Sequence, residues 1–167
     1  MEMETRYFFP FVSFVCALLL ACALYLQDTR GLMPCALCVA QRMVYWLLGL
    51  AALVAFLHRP RGIGRRIYGA ALVALACLGL AVALRQLWVI HHPGFLCGIS
   101  PEARLINALP LARWWPPMFE ASGSCAAVRW KFLSLSMPDW SAVWFAVLAV
   151  LSALAFRSRP RRRPTGR

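Results

Sequence analysis

Charge is what this sequence has least of. Six acidic side chains stand among 167 residues, and together with 18 Lys and Arg they make up 14% of the chain. Apolar residues reach 62% and the mean hydropathy is +0.66, more apolar surface than one soluble core of this size could hold while polar groups covered it. From position 8 to position 26 there is no charge at all. The alternating ten-residue segments of a transmembrane β-barrel are also missing, so the apolar runs read as helices. No acid and no C-x-x-C occurs between residues 59 and 66 or from residue 157 onward. Metal ligands are thin: beside the cysteines, the segments near them offer His91 and His92, too few at short spacing for a zinc site.

Four apolar runs remain, at residues 8–26, 39–57, 67–90 and 140–156, each near the roughly 17–25 residues that cross the hydrocarbon as a helix. The expected fold is an all-α membrane protein, a bundle of four transmembrane helices in one integral membrane domain over residues 1–167. Two outward-facing loops, 27–38 and 91–139, join the spans. In the second, residues 101–115 mix Leu105, Ile106, Leu109 and Leu111 with Arg104 and Arg113 and end in Trp114 and Trp115. That pattern predicts a short amphipathic helix lying at the membrane interface.

Basic residues assign the sides. Arg59, Arg61, Arg65 and Arg66 follow the second run, and Arg157, Arg159, Arg161, Arg162, Arg163 and Arg167 follow the fourth. Residues 27–38 set Asp28 against Arg30, and 91–139 set four basic residues against Glu102, Glu120 and Asp139. Both termini are therefore expected in the cytoplasm. Ten of the 18 basic residues lie in those two juxtamembrane segments, so the net charge of +12 is read as fixing topology and touching anionic headgroups, not nucleic acid. Ala21-Cys22-Ala23 resembles a cleavage site, but Glu2 and Glu4 outweigh Arg6 where a signal peptide is positive, and the first helix is expected to stay.

Seven cysteines are many for this length. Cys16, Cys22 and Cys77 fall inside apolar runs, where cysteine packs as a small hydrophobe. Cys35, Cys38, Cys97 and Cys125 fall at or beyond the ends of runs, on the outward side, which oxidises thiols. Cys35-Ala36-Leu37-Cys38 begins the second helix, behind Pro34, a residue suited to helix starts. The positive end of the helix dipole stabilises a thiolate there. Arg42 follows Cys38 by four residues and so lies one turn along the same face. An arginine at that depth costs free energy and marks function; a structural disulfide or half a zinc site would leave it unexplained. Cys97 and Cys125 flank 27 residues. A bond between them would stabilise by about 3 kcal/mol as a plain staple, while the small residues Ala121-Ser122-Gly123-Ser124 predict a mobile stretch able to carry a disulfide between partners.

Pro34-Cys35-Ala36-Leu37-Cys38 with Arg42, Trp115-Pro116 with Phe119, and Ala121-Ser122-Gly123-Ser124-Cys125 running on to Trp130, Phe132, Met137-Pro138 and Trp140 resemble, over nearly the full length, the bacterial DsbB family of quinone-linked disulfide-generating membrane proteins. The resemblance implies an enzyme of the bacterial inner membrane, a protein-disulfide oxidoreductase that reoxidises a periplasmic thioredoxin-fold, DsbA-like dithiol oxidase. It implies ubiquinone or menaquinone as acceptor and two redox-active disulfides, Cys35-Cys38 and Cys97-Cys125. By resemblance, Cys97 is attacked by the reduced partner, Cys125 is its resolving cysteine, Cys35 exchanges with Cys125, and Cys38 passes the electron pair to the quinone. Arg42 and His91 are implied as quinone-binding residues. Two features depart from the family pattern: the segment from His91 to Cys97 is short, and Gln41 precedes Arg42 where an acid is common. Arg85 reads as a snorkelling arginine.

Other classes make different demands. A conduit carrying reducing equivalents outward would need a cysteine pair reachable from the cytoplasm, which the 59–66 link and the tail lack. A membrane scaffold with two structural disulfides gives Arg42 no use beside the sulfur. A relative serving one dedicated partner oxidase would share the same chemistry.

Overall fold

The computed structural model describes residues 2–92, 101–123, 131–132 and 134–157. Four helices are long and apolar enough to cross a membrane: α1 (Glu2–Arg30), α2 (Ala36–His58), α3 (Ile63–His91) and α7 (Met137–Arg157). Between α3 and α7 come three short helices, α4 (Pro101–Asn107), α5 (Pro110–Trp114) and α6 (Pro116–Phe119), and a hairpin of two-residue strands, β1 (Lys131–Phe132) and β2 (Leu135–Ser136). The strands pair antiparallel, Lys131 opposite Ser136, with Ser134 of the turn at a left-handed φ of 66°. The chain is an all-α, multi-pass membrane protein.

Each long helix outruns the apolar run that predicted it. α1 carries Gln27, Asp28, Thr29 and Arg30 in its last turn, α2 starts at Ala36 instead of residue 39, and α3 takes in Arg65 and Arg66. The backbone keeps its i→i−4 bonds past the hydrocarbon edge while long polar side chains reach out to headgroups and water. The first outer loop shrinks accordingly to residues 31–35. On the other side, Arg59 closes α2 in a left-handed conformation (φ 48°) and Gly62 precedes α3 at φ 59°, so four residues reverse the chain.

The amphipathic segment is helical as expected, but in two pieces, with a third short helix following it. Pro110 and Pro116 each stand at the start of a new turn, since a proline has no N–H to continue the helix behind it. Ile106, Ala112 and Met118 turn inward, while Leu105, Leu111, Trp114 and Trp115 remain exposed. Exposed Leu and Trp beside Arg104 and Arg113 suit the headgroup zone.

α3 packs most extensively against α7, α1 against α2, and α2 against α3, while α1 and α7 barely touch. Small buried residues, Ala52, Ala55, Ala76 and Ala83, let the helices approach closely, the usual device where lipid removes the hydrophobic drive between helices. Gly79 of α3 makes room for Phe145 of α7, whose ring occupies the place a Cβ would take. Phe145 stacks in turn on Tyr45 of α2, centroids 4.1 Å apart. Phe14, Leu57, Leu84 and Val150 face outward, toward lipid. α7 starts firmly: the Asp139 carboxylate in its first turn accepts from the Ser136 backbone N–H at 2.8 Å and from its hydroxyl, half of a capping box.

Candidate functional site

Cys35 is the residue that starts α2. Its backbone is extended (φ −83°, ψ 168°) and its sulfur accepts the Cys38 N–H at 3.4 Å, so a thiol does the work that Ser or Asp does at most helix starts. This brings the sulfurs of the C-x-x-C within 3.0 Å, with Cys35 donating to Cys38. Cys35 is buried at 3% exposure, and Cys38 is half-buried. From α3, Gln86 donates its amide to both, at 3.2 Å to Cys38 and 3.5 Å to Cys35. Gln86 is itself held by Gln41, which donates to its carbonyl oxygen at 2.7 Å. Cys38 thus receives two donors, the Cys35 thiol and the Gln86 amide.

Below the sulfurs, between the facing sides of α1 and α7, lies a cavity of about 440 Å³. Leu19, Leu20, Ala23 and Leu26 form one wall, Pro138, Trp140 and Trp144 the other. Cys35, Cys38, Gln41, Arg42, Tyr45 and Gln86 close its inner side. The volume falls in the range of small-molecule sites, apolar with a few convergent polar groups. Arg42 is buried at 8% exposure and donates to the carbonyls of Pro117 (3.3 Å) and Met118 (3.5 Å), tying α2 to the outer helices while lining the cavity. Tyr45 donates to the Ser141 carbonyl at 3.3 Å and lies 3.2 Å from its hydroxyl, joining α2 to α7 at the cavity's edge.

The outer segment is docked on this helix start. Pro34's carbonyl accepts from both Ser122 (3.1 Å) and Gly123 (2.9 Å), and Gly123 forms a parallel bridge with Cys35. Asn107 at the end of α4 clamps Ala121 from both sides, donating to its carbonyl at 3.0 Å and accepting its N–H at 2.8 Å. The stretch expected to be mobile is therefore held through residue 123, because its small side chains let its backbone pair with residues 33–35.

Cys35, Cys38 and Arg42 come together as the sequence predicts. His91 does not join them: it is exposed at the end of α3, where its ring N–H donates to the Leu87 carbonyl at 2.7 Å, and Ile90 is what that helix end contributes to the cavity. Cys97 and Cys125 lie outside the described residues. Arg85 is exposed, as a snorkelling arginine would be. Cys16 is buried in the core and Cys77 is exposed on the bundle surface, whereas Cys22 lines the cavity wall. Gln41 and Gln86 are the site residues that sequence reasoning passed over. The signal was available: two amides inside apolar spans, marked by the same depth argument that singled out Arg42.

The family model described as disulfide bond formation protein DsbB matches residues 5–155. Curated relatives carry the name disulfide bond formation protein B, among them the following three. That of Nitrosospira multiformis is 56% identical over 149 residues, covering 89% of each chain. That of Nitrosomonas europaea is 50% identical over 155 residues, covering 92% of this chain and 94% of the relative. That of Marinobacter nauticus is 43% identical over 160 residues, covering 94% and 95%. With a sulfur pair at a helix start over an intramembrane cavity and a match along almost its whole length, this chain belongs to the DsbB family of disulfide-forming membrane oxidoreductases.

Proposed function

We propose that the chain is a quinone-linked thiol oxidase that regenerates the disulfide of a periplasmic thioredoxin-fold oxidase of the DsbA type. One juxtaposition carries the reading: Cys38, the sulfur on which donors converge, lines an apolar cavity at the poorly closed seam between α1 and α7. The donor set suits a quinone. Leucines and tryptophans would pack on a flat apolar ring, and the Arg42 guanidinium and Tyr45 hydroxyl are within the lining for its carbonyl oxygens. Ubiquinone and menaquinone both satisfy this chemistry. When bound, the quinone supplies an acceptor for two electrons and two protons.

The chain's own sulfurs order the exchange. The partner's thiolate attacks a Cys97-Cys125 disulfide at Cys97, and its second thiol displaces Cys97, leaving the partner oxidised and the loop pair reduced. Cys125 then attacks a Cys35-Cys38 disulfide at Cys35 and releases Cys38. Cys97 displaces Cys35 from Cys125, which restores the loop disulfide and leaves Cys35 and Cys38 as the dithiol. Return of that dithiol to the Cys35-Cys38 disulfide would give up two electrons and two protons, which a bound quinone would take, so the sum is partner dithiol plus quinone giving partner disulfide plus quinol. A partner near −120 mV is hard to oxidise by thiol exchange alone, since each 30 mV uphill costs about 1.4 kcal/mol for two electrons; a high-potential acceptor offsets that step. The arginine-rich 59–66 link and tail support an inner-membrane topology with both termini cytoplasmic and the cysteine pairs periplasmic.

The test mixes purified protein, a reduced thioredoxin-fold oxidase and a quinone, and follows quinone reduction. Cys38→Ala and Cys97→Ala are each expected to abolish turnover; turnover retained in both refutes the relay.

A further inference from the structure

Gln41 and Gln86 are buried at 5% and 3% exposure, in spans where an apolar side chain would be cheaper to place. A buried amide without partners costs free energy, so the account of its four hydrogen-bonding positions matters. The Gln86 carbonyl oxygen accepts from Gln41 at 2.7 Å. That leaves the Gln86 NH₂ group, whose two protons face two sulfurs, Cys38 at 3.2 Å and Cys35 at 3.5 Å. The amide is a donor fork laid over the C-x-x-C. Its orientation is not free: turned over, it would aim oxygen at sulfur and set its NH₂ against that of Gln41. Hydrogen bonds to a charged acceptor are stronger than those to a neutral one, so this fork favours the state in which sulfur carries charge.

We propose that Gln86 is the positioning residue that holds negative charge on the Cys38 sulfur when the pair is reduced, and that Gln41, through its bond to the Gln86 carbonyl oxygen, locks Gln86 in the donating orientation. The proposal rests on the thiol-oxidase reading above and adds what prepares Cys38 as the electron-donating sulfur. In the step concerned, the Cys38 thiolate and the Cys35 thiol give up two electrons and the one proton they still hold, the S–S bond of Cys35-Cys38 forms, and the electrons pass to a quinone that takes up that proton and the one Cys38 had released to solvent. Donors on Cys38 stabilise the reduced side of that couple, so removing them makes the pair easier to oxidise and its thiolate scarcer.

The experiment uses the full-length reduced protein without quinone. Alkylation of Cys38 by iodoacetamide at fixed pH is followed by fragment-ion mass spectrometry, and the Cys35-Cys38 equilibrium is read against glutathione. The decisive variant is the double Gln41→Met/Gln86→Met, which removes both partners, leaves no orphaned amide and so keeps the bundle stable. It is expected to slow Cys38 alkylation by about ten-fold or more and to move the equilibrium toward the disulfide by about ten-fold, which is about 30 mV. Gln41→Met alone is expected to slow alkylation by a few-fold, about 2–5, and to add nothing once Gln86 is Met, because it acts only through Gln86. Gln86→Glu, of equal size but with oxygens in place of the donors, should be slower than Gln86→Met; a purely structural role predicts no such order. Cys38 alkylation in the double variant within about two-fold of wild type overturns the proposal. That failure is separable from failure of the thiol-oxidase reading, which shows as quinone turnover surviving in Cys38→Ala.

Discussion

Replacing Gly123 by alanine would push a methyl group into the carbonyl oxygen of Met33, with the Met33 and Pro34 carbonyl carbons at 2.9 and 3.2 Å. These are backbone atoms on both sides, so no side chain can swing aside; the two segments must separate. Separation breaks the bonds from Ser122 and Gly123 to the Pro34 carbonyl. At about 0.5–1.5 kcal/mol net for each, the docked arrangement loses about 1–3 kcal/mol, or about 5- to 150-fold in population. Cys125 is two residues beyond Gly123 and therefore within about 7 Å of it along the chain. Cys35 is Gly123's bridge partner, and a disulfide needs Cα atoms about 4.4–6.8 Å apart. Docking thus leaves only Ser124 between the backbone paired with Cys35 and its proposed exchange partner Cys125. Gly123→Ala is expected to slow formation of the Cys35-Cys125 bond at least about ten-fold, the middle of that population range. Acid-quenched samples of a Cys97→Ser background, in which Cys125 attacks the Cys35-Cys38 disulfide, releases Cys38 and is not displaced by Cys97, would measure it when mapped without reduction. Ser122→Ala, which keeps its backbone N–H and has an exposed side chain, is the control and should exchange at the parent rate. Wild-type exchange in Gly123→Ala would refute the argument that this backbone pairing delivers Cys125.

Asn107→Ala removes both bonds that clamp Ala121, about 1–3 kcal/mol in all; the same exchange assay should show a defect that is less than additive with Gly123→Ala, since both loosen one segment. Gly79→Ala forces a Cβ into the Phe145 ring, an overpacking expected to cost about 1–3 kcal/mol. The melting temperature in detergent should fall, and Phe145→Leu in the same chain should recover part of the loss; an unchanged melting temperature in Gly79→Ala would contradict the packing described.

The four spans were legible because each is a long apolar run with at most one charge, and the C-x-x-C with Arg42 was legible because a thiol at a helix start and a buried cation are both costly unless used. Helix ends were less so. Hydropathy follows the hydrocarbon edge, while the helix follows its backbone bonds outward to Arg30 in α1 and to Cys35 at the start of α2. The amphipathic stretch was legible in composition but not in continuity, although Pro110 was there to break it and Pro116 to end it. Gln41 and Gln86 could not be joined from sequence, since their contact spans 45 positions and depends on the rotation of α2 against α3. The docking role of Gly123 was hidden for a related reason. Small residues in a loop read as freedom, yet here the missing Cβ is what permits a close approach.

The open seam between α1 and α7 is explained by the solvent around it. In water, an apolar gap of about 440 Å³ between two helices would be driven shut. In a bilayer no such force acts, because lipid tails fill the gap as well as side chains would. The helices can then leave Leu19 and Leu20 facing Trp140 and Trp144 across a space at little cost, provided the other three seams are tight, and α1–α2, α2–α3 and α3–α7 are where the packing is concentrated. Under the proposed function this asymmetry separates the two substrates. A lipid-soluble acceptor reaches Cys38 sideways from the bilayer, through a wall that excludes water. A protein partner is confined to the outer loops, where the segment docked on Pro34 meets Cys35. The two sulfurs, 3.0 Å apart, are the meeting point of both routes, which is why one short C-x-x-C can serve a protein on one side and a lipid on the other without the two ever touching.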